Sequence, residues 1–144
     1  MKREKGIKHI GNSVIFFCHD GEGNYLMNKR ANNARDEKGT WDCGGGGIEI
    51  HDTVLETLKK EIREEYSTDI ISHEFLGYRD VHRENNGIKT HWIALDFKVL
   101  IDKSKVKNGE PHKFEKIGWF KINNFPTPLH SQLQYAIDKY KNKL

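Results

Sequence analysis

Residues 12–18 are β-prone and contain the longest uninterrupted apolar stretch of the chain, Val14-Ile15-Phe16-Phe17-Cys18. Asp20-Gly21-Glu22-Gly23-Asn24 then supplies turn residues, and residues 25–30 read as the partner strand of a hairpin. A polar loop, 31–40, leads to Trp41 and to four consecutive glycines, Gly44 to Gly47, after which 48–50 reads as a short strand. Apolar positions at helical spacing predict a helix over 53–66, with Thr53 and Glu56 placed as a capping box. Residues 70–78 and 90–100 read as strands, a turn follows at Asn108-Gly109, and another strand is expected around 117–120. Pro126 and Pro128 introduce a last helix, roughly 129–141, with Leu133, Ile137 and Tyr140 on one face. Strands, helix, strands, helix predict a single α/β domain over residues 1–144, with a mixed sheet covered by helices.

Composition narrows the class. Of 144 residues, 35% are apolar or aromatic and 31% are charged, which is too much apolar content for a disordered chain and enough for one core. No apolar run approaches the length of a membrane-spanning helix. The opening MKREKGIKHIG is basic but lacks the apolar stretch of a secretory signal, and Cys18 and Cys43 make neither a disulfide framework nor a zinc site by spacing. A soluble, cytoplasmic setting is therefore expected, with no membrane partner. The 24 basic residues are offset by 21 acidic ones, and the basic stretches are neither one-signed nor interleaved with aromatics, so a nucleic-acid partner is not expected.

The informative segment is 44–68, GGGGIEIHDTVLETLKKEIREEYST. At about 100° per residue, Val54, Leu55, Leu58, Ile62 and Tyr66 share the apolar arc of the helix. Glu56, Lys59, Lys60 and Arg63 fall opposite, and Glu61, Glu64 and Glu65 form a third arc beside the apolar stripe. Like charges at i+3 and i+4 each destabilise a helix by about 0.2–0.5 kcal/mol, so a purely structural helix gains nothing from gathering them. A hard divalent cation reverses that sign, because Mg²⁺ takes carboxylate oxygens together with water and phosphate. The glycines before the helix let backbone approach a ligand closely and leave carbonyls and N–H groups available to a metal or a phosphate.

With these residues in place the chain resembles the Nudix (MutT-like) pyrophosphohydrolases, whose motif is G-x5-E-x7-R-E-U-x-E-E-x-G-U, with U a bulky aliphatic residue. The motif runs here from Gly46 through Asp52 to Lys60-Glu61-Ile62-Arg63-Glu64-Glu65-Tyr66-Ser67-Thr68 without insertion. Trp41-Asp42, Gly45-Gly46-x-x-Glu49 and the later Glu115-Lys116-Ile117-Gly118-Trp119-Phe120 are similar to the family's flanking segments, so the resemblance spans roughly residues 10–141. Asp52 replaces a glutamate, Lys60 an arginine, Ser67 a glycine and Thr68 an aliphatic residue, and His51 stands where glycine often precedes the first acid.

The resemblance implies an α/β/α sandwich with a mixed sheet between helices. It also implies a metal-dependent hydrolase that cleaves a nucleoside diphosphate linked to another moiety, by water attack on phosphorus. Mg²⁺ or Mn²⁺ would be held by Glu61, Glu64 and Glu65 with the Gly45 carbonyl. Either Glu61 or Glu64 would serve as general base, with Lys60 beside the first glutamate. Asp52, Glu110 and Glu115 are candidates for a further carboxylate, and Arg30, Arg35 and Gly46 for substrate phosphates. The alternative is a catalytically weak Nudix fold used as a nucleotide-binding or regulatory module. Among the aromatics, Trp41, Tyr78, Trp92 and Trp119 are candidates to stack a base, although core packing is the commoner use of such residues. His82 and His91 stand too isolated in the sequence to be read as ligands, and Cys43 reads as packing. The substrate itself is not legible, because it depends on the loops, expected at 31–40 and 81–89. A homodimer is expected on base rates alone.

Overall fold

In the computed structural model, which describes residues 4–144, the apolar stretch at 12–18 becomes the middle of a seven-stranded sheet. Lys2 and Arg3, in the basic opening stretch, lie outside the described residues. The strands are β1 (Gly11–His19), β2 (Asn24–Arg30), β3 (Trp41–Asp42), β4 (Gly45–Gly47), β5 (Ile70–Asn85), β6 (Ile88–Ile101) and β7 (Phe114–Lys121). Their order is β3-β2-β1-β6-β5, with β4 paired to β1 and β7 to β2. β1 runs parallel to β6 from Gly11↔Trp92 to His19↔Leu100, whereas the other pairings are antiparallel. The sheet is mixed, as expected.

Side chains alternate across β1, so it feeds two cores. Val14, Phe16 and Cys18 pack with Leu26, Val99 and the α1 (Val54–Tyr66) residues Leu58, Ile62 and Tyr66. Phe17 packs with Tyr25, Met27, Leu76 and the residues Leu133, Ala136 and Tyr140 that α2 (Leu133–Lys139) and its C-cap supply. Each fully buried Leu, Ile or Phe contributes about 1.5–3 kcal/mol relative to exposure, which makes these two faces the main source of stability. The result is the α/β/α sandwich. No described helix is long and apolar enough to cross a membrane.

Several expected boundaries move, for identifiable reasons. Residues 48–50 are not a strand, and Ile50 is largely exposed; the glycines themselves form β4. Strand propensity scores side chains that fit a pleat, whereas here the absence of a side chain is what fits. Residues 81–89, expected as a loop, are the distal half of one long hairpin. β5 and β6 continue to Asn85 and Ile88 and turn at Asn86-Gly87, both with φ > 0, the conformation that favours an Asn-Gly pair. The last helix is shorter than 129–141 because the chain before it is extended: Leu129 bridges Trp41, and Trp41 N–H donates to the Pro128 carbonyl at 2.9 Å. Within α1, Leu55 lies outside the core, and Thr57 and Glu65 lie inside it.

The ends of α1 follow the sequence closely. The Thr53 hydroxyl accepts from Glu56 N–H at 3.0 Å. Ser67 closes the helix in a left-handed conformation, φ 57, with its N–H on the Arg63 carbonyl. This is the position where the motif carries glycine, and a side chain there costs of order 1 kcal/mol. We predict that Ser67→Gly raises the free energy of unfolding by up to about 1 kcal/mol, measured by urea denaturation; a loss of stability contradicts the strain argument.

A buried ion pair ties α2 to the sheet. Asp96 on β6 is fully buried and accepts from Arg79 Nε at 2.7 Å and Nη2 at 2.8 Å, while the Tyr140 hydroxyl donates to Asp96 Oδ2 at 2.6 Å. Burial and the neighbouring carboxylate together push the Tyr140 phenol well above its ordinary range. Removing one member strands a charge away from water. Asp96→Ala is expected to cost about 3–5 kcal/mol, and the double variant Asp96→Leu/Arg79→Met substantially less. A single-variant cost below about 1 kcal/mol, the range of surface pairs, would contradict this.

Candidate active site

The centre of the site is a place where backbone has no side chain to displace. Phe16 N–H donates to the Gly44 carbonyl at 3.1 Å, and Ile48 N–H to Asn12 at 2.8 Å. In the alternation of an antiparallel ladder, Gly45, opposite Ile15, therefore turns its own N–H and carbonyl away from β1. A Cβ on Gly46 would lie 2.3 Å from Cδ of Glu61. At Gly44, φ is +130, and a Cβ would lie 2.4 Å from the Phe16 ring and 2.9 Å from Glu65 Oε1. Two carboxylates from α1 thus rest against bare backbone.

Glu65 is 2% exposed, and its Oε1 has no hydrogen-bond partner. Burial pushes its carboxyl well above the carboxylate range; Lys113, whose Nζ lies 3.8 Å from Oε2, and the Gly45 N–H pull the other way, while Glu61 and Asp42 add to the rise. Glu61 is half-buried, and its carboxyl is raised first by burial and then by Glu64, with Lys60 and Lys113 opposing and Glu110 adding. Glu64 is exposed.

Two cavities meet at this ribbon. One, of about 170 Å³, is bordered by Gly44, Gly45, Glu65, Asn28, Arg30 and Lys113. The other, of about 290 Å³, is bordered by Gly46, Gly47, Arg35, Arg83, Asn85 and Trp92. Asp42 and Ile15 line both, so β4 divides one continuous region into a small charged compartment and a larger one with an aromatic wall. Asn28 Oδ1 is the other buried side-chain oxygen without a partner among the described residues, and Asn28 borders the same small cavity as Glu65. Its amide nitrogen donates to the Tyr66 hydroxyl at 2.9 Å, which in turn donates to the Cys43 carbonyl. Tyr66 thereby fixes the end of α1 to the chain leading into β4.

The loop 31–40 is latched at the rim of the larger cavity. Asp36 pairs with Arg30 at 2.9 Å and with Arg83 at 3.1 Å. Glu37 pairs with Arg83 at 2.9 Å and accepts from Ser131 N–H and Oγ at 3.0 and 2.9 Å. Burial opposes ionisation of both acids, but these partners outweigh it and hold both carboxyls below their usual range.

Glu61, Glu65, Gly45 and Gly46 are brought together, with Glu64 and Glu110 at the margin. The three glutamates are not gathered at one point: their oxygens do not all lie within 4.8 Å of one another. Like charges spread, and Glu64 turns to solvent. Asp52 and Lys60 pair with each other at 3.6 Å and line neither of these two cavities. Glu115 pairs with Lys29 at 3.1 Å on the strands β7 and β2 and also lines neither. Arg30 borders the small cavity, but its guanidinium is engaged by Asp36, and Arg35 borders the larger one. Among the aromatics Trp92 lines the larger cavity, Trp41 is in the core and Tyr78 is exposed. Sequence reasoning missed Asn28, Asp42 and Lys113 as site residues. An asparagine inside the apolar strand Tyr25-Leu26-Met27-Asn28 was a usable signal; Lys113 had none, because only the fold brings it to Glu65.

The donors fit a hard cation. An orphaned, buried carboxylate oxygen, a second carboxylate on bare backbone and a peptide carbonyl off the ladder are the oxygen ligands such an ion takes.

The comparisons agree with this geometry. The family model for the NUDIX domain matches residues 9–140. A curated relative, the nucleoside triphosphatase NudI of Escherichia coli O17:K52:H18, is 26% identical over 125 residues, covering 82% of this chain and 85% of its own. Among solved structures, a MutT NUDIX hydrolase from Burkholderia pseudomallei superposes with a TM-score of 0.80 at 23% identity, over 91% of this chain and 98% of that one. The NUDIX domain of Shewanella oneidensis NrtR, solved in complex with ADP ribose, does so at 0.75 and 15% identity, over 99% and 93%. The fold is theirs, and with the family's domain spanning nearly the whole sequence this chain belongs to the NUDIX family and is a Nudix hydrolase.

Proposed function

We propose that the protein is a divalent-metal-dependent pyrophosphohydrolase whose substrate seats its nucleoside in the larger cavity and its phosphates across the glycine ribbon. The observation that carries this reading is the pair of unpartnered buried oxygens, Glu65 Oε1 and Asn28 Oδ1, in a charged compartment that opens beside a larger one. An uncompensated buried polar atom costs about 1–3 kcal/mol, and a ligand relieves that cost. When bound, Mg²⁺ or Mn²⁺ supplies charge neutralisation on phosphate oxygens and a better nucleophile from water. Glu65, Glu61 and the Gly45 carbonyl are the donors that would hold it.

The chain's own groups supply the rest. Gly46, with no side chain, lets a phosphate approach the backbone, and Arg35 offers a guanidinium fork at the edge of the larger cavity. Lys113 stands as a second cation beside Glu65. Trp92 presents a ring to the base. Glu64, open to solvent beside Glu61, takes the proton of the attacking water as its oxygen bonds to phosphorus and the phosphoric anhydride P–O bond breaks. Nucleoside triphosphates are the first substrates to test, because the relative described above is named a nucleoside triphosphatase. ADP-ribose is the second, because the Shewanella domain was solved with it.

The deciding experiment is product release from a panel of nucleoside triphosphates, ADP-ribose and dinucleoside polyphosphates, with Mg²⁺, with Mn²⁺ and with chelator. Metal-dependent cleavage of an anhydride bond is expected. Nucleotide binding without turnover would instead mark a binding module.

Separate roles for the glutamates give a sharper expectation. Glu65→Gln is expected to weaken Mn²⁺ binding about 10–100-fold or more and lower turnover with it. The same change should leave the metal-free melting midpoint unchanged or raised, because it removes a charge buried away from water. Glu64→Gln should lower kcat while Mn²⁺ affinity, read by electron paramagnetic resonance, is largely kept. Equal loss of metal binding in both variants contradicts this division of labour.

A further inference from the structure

The hairpin overturns the reading of His82 and His91 as isolated. β5 and β6 pair so that His82 stands directly opposite His91, and the two imidazoles stack with centroids 4.1 Å apart. Asp80 lies two positions before His82, so strand alternation sends both side chains from the same face of the sheet. Asp80 Oδ1 accepts from His91 Nε2 at 3.0 Å. One ligand atom from each of the three lies within 4.8 Å of the other two, the only group of its kind among the described residues. The neighbouring residues Val81 and Arg83 point the other way and line the larger cavity.

We propose that Asp80, His82 and His91 form a second metal site, which takes a borderline d-block divalent cation such as Zn²⁺, Ni²⁺ or Cu²⁺. The donor set is two imidazole nitrogens and one carboxylate oxygen, which suits these ions and not Mg²⁺, whose preference is for oxygen in near-ideal octahedral geometry. Tetrahedral zinc with Zn–N distances of about 2.0–2.1 Å brings its donors to within roughly 3.5 Å of one another. The present spread is wider by an amount that side-chain rotation closes, and Asp80 and His82 are exposed and free to rotate. The cation takes the place of the hydrogen between His91 Nε2 and Asp80 Oδ1, and His91 then binds as the neutral imidazole that carries its hydrogen on Nδ1. Three protein ligands leave a fourth position for water or an incoming group.

The site is separate in residues and chemistry from the glutamates on α1. It clamps the two strands whose opposite faces form a wall of the larger cavity, so an ion here stiffens that wall from behind. The site itself does not depend on what the cavity binds.

Calorimetric titration with Zn²⁺ and Ni²⁺, in the presence of excess Mg²⁺, tests it. One equivalent is expected to bind the parent protein and the Glu61→Gln/Glu64→Gln/Glu65→Gln triple variant alike. His82→Gln and His91→Gln should each weaken binding by about 10–100-fold or more, at least what loss of an outer partner of a ligand costs. Sub-stoichiometric Cu²⁺ should broaden the imidazole NMR signals of His82 and His91 before those of the other histidines. Unchanged affinity in a His82→Gln/His91→Gln double variant whose metal-free melting midpoint matches the parent overturns the proposal. So does loss of the Zn²⁺ equivalent in the triple glutamine variant.

Discussion

The arrangement of this molecule rests on a steric allowance: carboxyl groups of α1 occupy space that Cβ atoms would take on any residue but glycine. Glu61 lies where a Cβ on Gly46 would sit, and Glu65 Oε1 lies against Gly44. A Cβ at Gly46 would force the Glu61 carboxyl to swing away from the ribbon, and one at Gly44 would press into the packed Phe16 ring as well as against Glu65. The position of the carboxylates and the partition between the two cavities are therefore one constraint. Three glycines weaken a strand by their entropy and lack of packing. The hairpin β1–β2 and the parallel pairing β1–β6 hold the sheet regardless, so β4 can give up side chains that would otherwise fill the site.

α1 carries two demands that pull against each other. Its apolar stripe anchors one of the two cores, and its flanking arc places a carboxylate where water does not reach. Burying Glu65 with one partly satisfied end is destabilising in the absence of a ligand. Tyr66, next in sequence, offsets that by tying Asn28 to the Cys43 carbonyl, which fixes the helix end against the chain that leads to β4. The two departures at Asp52 and Lys60 answer each other as an ion pair at the outer side of the helix. The motif's acid and base are thus both replaced in kind, and the ammonium holds the shorter carboxylate without the bidentate fork of a guanidinium.

The opposite side of the sheet is organised by charge. Asp96, Arg79 and Tyr140 lock α2 onto β5 and β6, and Asp36, Arg83, Glu37 and Ser131 hold the 31–40 loop at the cavity rim. The first network is fully buried and therefore rigid. The second is half-exposed, where ion pairs contribute little and exchange readily, so the rim of the cavity is held less firmly than its floor. The long hairpin joins them, because Arg79 and Arg83 project from the same face of one strand while Asp80 and His82 project from the other.

The sequence by itself determined the local elements and the chemistry of one helix. Thr53 as cap, the apolar arc through Leu58, Ile62 and Tyr66, the three glutamates beside it and the glycine run before it were legible because each is a pattern over near neighbours. So were the mixed α/β order and the family. Tertiary structure alone decided which of these groups meet. Register set the glycines, rather than 48–50, as a strand, and carried the hairpin through 81–89, where a run of polar residues conceals a strand with polar groups on both faces. Long-range packing brought Lys113 and Asn28 to Glu65 and sent Glu115 to Lys29, and the folding back of the 31–40 loop engaged Arg30 with Asp36. Pairing of β5 with β6 placed His82 on His91. Contacts between distant residues depend on how strands align and helices dock, and neither is encoded in the identity or spacing of the residues that finally touch.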